Sequence, residues 1–210
     1  MSFIKDPGSI ETESMRIIRS KLKISWPENE IPVVQRLIHT SGDLSLENVI
    51  VIHPQAIQAG LQALKQGANI ITDVEMVKTG ISKQNMERLG GKVECFLNDP
   101  RVPQQAQDWG ITRSMTALRL NAEKLAGAIV AIGNAPTALF ELLRLAEDPA
   151  CRPALVIGIP VGFVGAAESK ELLWQRQDLP SVIVKGTRGG SPLAVAAVNA
   201  LIYVAINRTI

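Results

Sequence analysis

The sequence predicts an α/β fold: one domain spanning 1–210, with a mostly parallel open sheet, helices on both of its faces and N-terminal helices ahead of it. Two observations carry that expectation. Short apolar runs rich in Val, Ile and Leu recur at 49–53, 69–72, 92–97, 127–132, 154–159 and 181–185. Each ends at or beside Gly, Pro, Asn or Asp, as strands buried on both faces do. Between them lie helical stretches with clear punctuation.

Taken in order, the chain opens with two helices, one over about 10–22 and one beginning near Pro32. In the second, Val33, Val34, Leu37 and Ile38 form an apolar stripe, and Gly42 supplies the stop. Pro54 opens a helix that runs to Gly67, placed as its C′ residue. Pro136 opens another, with Leu139, Leu142, Leu143 and Ala146 at helical spacing, and Pro192 opens an alanine-rich last one. The chain shows neither an internal repeat nor a low-complexity linker.

Composition narrows the function. Aromatics are only 4% of residues, so the core is built from Ala, Val, Ile and Leu. A formal charge of +2 without a basic, aromatic-interleaved patch argues against nucleic acid as partner. No uncharged apolar run of about 18 residues occurs, which argues against a membrane span. The start, MSFIKDPGSIETES, lacks a signal-peptide layout, so a cytoplasmic location is expected. Cys95 and Cys151 stand far apart, outside any Cys/His cluster; reduced thiols and the absence of a protein metal site are expected.

The histidines are two, His39 and His53. His39, in LIHTSGD, falls off the apolar stripe and into the last helical turn. There the negative end of the helix dipole favours imidazolium by about 0.3–1 kcal/mol. Position alone leaves it open between a capping side chain and a proton-transfer group. His53 directly precedes Pro54 at a strand-to-helix junction, where a structural hydrogen bond is expected. Asp73, ending ANIITD, is either a site residue or the cap of the short helix after it.

Three glycine-rich turns follow strands: GNAPTALF at 133–140, GIPVGFVGAAESKE at 158–171 and KGTRGGSP at 185–192. In an open parallel sheet such turns line the carboxyl edge, where ligands bind, and each feeds a helix N-terminus that favours an anion. Together with Arg113, Lys170 and Arg188, the three turns point to a ligand bearing several negative groups. Nucleotide motifs are missing: there is no GxxxxGK[ST], and GFVGAA lacks the full dinucleotide fingerprint. No GxSxG elbow supports a hydrolase.

IHTSGD, ITDVEMVKTGI, TRSMTALRL, IGNAPTALFELL, PVGFVGAAESKELL and GTRGGSPLAVAAVNAL together resemble, in order and spacing, the precorrin-8X methylmutase family of cobalamin biosynthesis, cobalt-precorrin-8 methylmutases included. The resemblance runs from about Pro7 to Ile206. It implies an isomerase that moves a methyl group from C-11 to C-12 of a corrinoid macrocycle with many carboxylate side chains. No cofactor is implied, and a homodimer with the site near the subunit interface is. It places the catalytic histidine at His39, as proton or hydrogen-bond donor. As substrate contacts it implies Ser14, Arg16, Thr112, Arg113, Ser114, Lys170 and Arg188, with Arg19 nearby. Met15 departs from the aromatic that often follows the serine. The competing reading is a corrinoid carrier that binds without turnover.

Overall fold

Among the described residues, six strands of three or four residues form one sheet in the order β1-β6-β5-β4-β2-β3: β1 (Ile50–Ile52), β2 (Ile70–Thr72), β3 (Val93–Cys95), β4 (Ile129–Ile132), β5 (Leu155–Gly158) and β6 (Ser181–Val184). The computed structural model describes residues 5–208. All pairings are parallel except β1 on β6, where Ile50 faces Val184 and Ile52 faces Val182. The expected strands are all present, trimmed at their ends.

Alternation within each strand divides the core in two. Ile129, Ala131, Leu155, Ile157, Val182 and Val184 face one side; Val130, Ile132, Val156 and Ile183 face the other. Both sets are buried, which is why β4, β5 and β6 read as unbroken apolar runs. Edge strand β3 is only half-buried and tolerates Glu94.

The first face is covered by α1 (Pro7–Lys21), α2 (Ile31–Ser41), α3 (Ala56–Lys65), α4 (Glu75–Gly80), α5 (Lys83–Arg88) and α10 (Ser191–Ala205). Helix α10 lies between the sheet and its neighbouring helices, so nearly all of its surface is buried and apolar. Its alanines, with Gly60 under Leu201 and Gly80 against Val195, let the helices approach closely. The second face carries α7 (Arg113–Arg119), α8 (Pro136–Leu145) and α9 (Ala166–Gln175), with α6 (Val102–Trp109) packed on α7. Glu141 is buried there and accepts from the guanidinium groups of Arg119 and Arg144, which hold its carboxyl down against the upward push of burial.

Helix boundaries follow local chemistry. Helix α1 starts three residues before the expected point because Asp6 accepts from the Ser9 N–H at 2.7 Å and Pro7 fits the first turn. Helix α2 ends at Gly42, whose φ of 65° is left-handed and whose N–H reaches the Ile38 carbonyl at 2.9 Å. Helix α3 begins two residues after Pro54, and Gly67, with φ 76°, follows its end. Among the described residues no helix is long and apolar enough to cross a membrane.

Candidate functional site at the carboxyl edge of the sheet

The chain leaves β2 toward β3 on one side and returns to β4 on the other, so the carboxyl ends of β2 and β4 form the switch point of the sheet. Asp73 stands there. Its carboxylate accepts from the N–H groups of Gly133, Asn134 and Ala135 at 3.0, 2.8 and 2.7 Å. It therefore caps the entrance to α8, across the β2–β4 junction, and makes no side-chain cap on α4. Burial raises its carboxyl above the ordinary range, against the pull of those three donors. Gly133 is required beneath it, since a Cβ would lie 2.8 Å from the Ser191 Cα.

His39 is exposed in the last turn of α2. Gly42 caps that helix with its own N–H, and the imidazole makes no hydrogen bond within the described residues. His53 is the opposite case: it is buried, and its Nδ1 accepts from the Gln55 N–H at 3.2 Å. Helix α1 runs antiparallel to α2, with Arg19 near Glu28 and Glu11 near Arg36, so the start of α1 lies beside the end that carries His39. Burial pushes the Glu11 carboxyl up, but Arg36, Arg208 and His39 outweigh it and hold it below the ordinary range. Glu11 is thus an acidic neighbour of His39 that sequence reasoning missed, because no motif marks it.

Beyond Gly42, the chain meets the loop after β6. Arg188 donates to Asp43 and to the Ser45 Oγ, joining segments more than 140 residues apart. A depression of about 400 Å³ lies here, lined by Thr40, Ser41, Val161, Arg188, Gly189 and Pro192 among others. Phe163 and Val164, in the loop after β5, are 93% and 88% exposed. A larger hollow of about 690 Å³ opens between α4, α5 and the start of β3, and contains none of the expected site residues.

Lys170 departs from the expected rim position. It is 1% exposed beneath the loops, and its ammonium donates to the Pro160 and Arg188 carbonyls at 3.1 and 2.7 Å. Position in the ESKE stretch could not show this, because the residue begins the second turn of α9 and faces inward. Burial pushes its pKa down to about 8. Thr112 caps α7, accepting from the Met115 N–H, and its Oγ1 lies 3.0 Å from that of Thr137 at the start of α8. Arg113 donates to the Leu97 carbonyl after β3, and Ser114 is half-buried in the first turn of α7. This second group borders β3 and β4; Arg188, the loops after β5 and β6 and the end of α2 that carries His39 form the first, with Thr40 and Ser41, not His39 itself, lining the depression. Ser14 donates to the Ile10 carbonyl within α1, and Arg16 pairs with Glu13 on its exposed side.

Comparison with known proteins gives one consistent result. The family model described as precorrin-8X methylmutase matches residues 9–204. The cobalt-precorrin-8 methylmutase of Priestia megaterium is 42% identical over 93% of this chain and 87% of its own length. The precorrin-8X methylmutase of a Sinorhizobium species is 43% identical over 95% of both chains. Among solved structures, the precorrin-8X methylmutase of Thermus thermophilus superposes with a TM-score of 0.86 at 35% identity, covering 96% of this chain and all of that one.

The buried lysine makes a stability prediction. Its folded pKa of about 8 lies below the ordinary lysine value of about 10.4, so between those values the unfolded chain binds more protons. The burial penalty is complete below about pH 8 and is relieved as pH rises toward the unfolded value. Denaturant unfolding of wild type and Lys170→Met at pH 7.5 and 9.5 should show wild type gaining on the order of 1–2 kcal/mol relative to the variant. A difference that stays constant with pH would contradict the assignment.

Proposed function

The chain belongs to the precorrin-8X methylmutase family, and from that premise we propose that it isomerises a corrinoid macrocycle by moving a methyl group from C-11 to C-12, with His39 as the proton or hydrogen-bond donor. The observation that carries this reading is the family match over residues 9–204, within which an exposed histidine lies in the last turn of α2. The reaction is balanced within the substrate: the bond from methyl to C-11 breaks as the bond to C-12 forms, and no electron donor or methyl donor is consumed. What the protein must supply is a held conformation and charge stabilisation. His39 donates toward the macrocycle near ring C and polarises its π-system as the methyl moves.

The surroundings suit that substrate. Its carboxylates meet the exposed Arg113 and the N-termini of α9 and α10, which open toward the same edge, whereas the entrance to α8 is already occupied by Asp73. Phe163, Val164 and Val161 offer apolar surface to a flat ring or to a second subunit. A homodimer with the site near its interface is part of the proposal. Light scattering should give twice the chain mass, and a fully active species of single-chain mass would contradict it.

Anaerobic incubation with metal-free precorrin-8X, and separately with its cobalt form, tests the reaction through the visible spectrum. Methyl migration changes the conjugation, so at least one form should change its bands catalytically. His39→Ala should lose about 10²–10⁴-fold in rate. Binding of both forms without spectral conversion would instead identify a carrier, and near-normal turnover by His39→Ala would remove the histidine from the mechanism.

A further inference from the structure

Lys170 is a buried cation whose ammonium donates to two backbone carbonyls, an arrangement that costs desolvation energy a Met of similar volume would avoid. Its two acceptors belong to different loops. Pro160 lies after β5 and Arg188 after β6, the two loops that wall the depression beside α2. The same loops are joined by the Gly162 N–H on the Thr187 carbonyl at 3.1 Å and the Gly190 N–H on the Ile159 carbonyl at 2.9 Å. They meet so closely that a Cβ at Gly189 would lie 2.4 Å from the Pro160 oxygen.

From Arg188 the contacts continue to the histidine. Its guanidinium holds Asp43 and the Ser45 hydroxyl. The Asp43 N–H donates to the Ser41 Oγ at 3.1 Å, and that hydroxyl donates to the Ile38 carbonyl at 2.9 Å, inside the turn that carries His39. Asp43 also accepts from Ser45, whose hydroxyl and N–H, with Arg188, hold its carboxyl below the usual range.

We propose that Lys170 is a positioning residue for the His39 reaction: by fixing the Arg188 backbone against the loop after β5, it sets the Arg188–Asp43 pair and so the end of α2 that presents the imidazole. The proposal rests on the reading of His39 as proton donor. It also reassigns Arg188, which acts through Asp43 and is not the direct partner of a substrate carboxylate. The clamp needs two N–H donors, which a neutral amine also has, so it persists when Lys170 titrates.

A double-mutant cycle on turnover tests it, using Lys170→Met, Asp43→Asn and the double variant in the spectral assay. Each single change should lower kcat by about tenfold or more, as small misplacements of a reacting group do, with KM changed less than about threefold. The double variant should be no slower than the slower single, because both cut one relay. Multiplying losses, an effect confined to KM, or Lys170→Met within about twofold of wild-type kcat would overturn the proposal. Should Lys170→Met not fold, Arg188→Met cuts the same relay at a more exposed link, and the same loss of kcat and the same non-additivity with Asp43→Asn decide. If Arg188 instead bound substrate directly, Arg188→Met would raise KM and Asp43→Asn would not lower kcat. A His39→Ala control separates the two levels. An active control refutes the reading of the site; an inactive control beside an unaffected Lys170→Met refutes the relay alone.

Discussion

Strands β2, β4, β5 and β6 are buried on both faces, and this constraint shapes the rest of the molecule. With apolar helices on each side, the sheet has no face on which polar chemistry can sit. Polar groups gather where the strands end, and the parallel arrangement sends the ends of five strands to one edge. The antiparallel β1 adds to it: because it runs the other way, its beginning lies at that same edge, and so does the segment joining it to α2. One reversed strand thereby carries His39 to the loops after β5 and β6.

An edge made of loops is useful only if the loops hold still, and here buried charges hold them. Asp73 gathers three N–H groups and fixes the entrance to α8; Lys170 holds two carbonyls and fixes the entrances to α9 and α10. The two are complementary, a carboxylate for backbone donors and an ammonium for backbone acceptors. Each costs desolvation, visible as a carboxyl pushed up and an amine pushed down. Backbone tied by these hydrogen bonds beside the exposed His39, Arg113, Phe163 and Val164 is what the proposed rearrangement would call for, since it needs a held geometry more than a reactive side chain.

Much of the fold was legible because its signals are local. Short apolar runs such as IVAI and LVIG, bounded by turn residues, read as doubly covered strands, and Pro32, Pro136 and Gly42 mark helix ends by fixed backbone chemistry. The start of α1 escapes an apolar pattern because its first turn is polar and only the Asp6 cap identifies it. In the site, His39 and the three glycine turns could be found from spacing and from family blocks. The roles of Asp73 and Lys170 could not, since their partners lie about 60 residues away and in two separate loops. Nor could the Arg188–Asp43 pair, which exists only because β1 and β6 are neighbours.

The chain has only two histidines, one exposed at the carboxyl edge and one buried with a backbone partner, so it contains its own control. The most direct test is to label the imidazole nitrogens with ¹⁵N and titrate the reaction product, following visible absorbance to confirm that it binds. The His39 ring resonances should shift with occupancy while those of His53 stay in place. Product that binds and leaves the His39 signals unmoved would contradict the account, because the macrocycle would then lie elsewhere on the molecule.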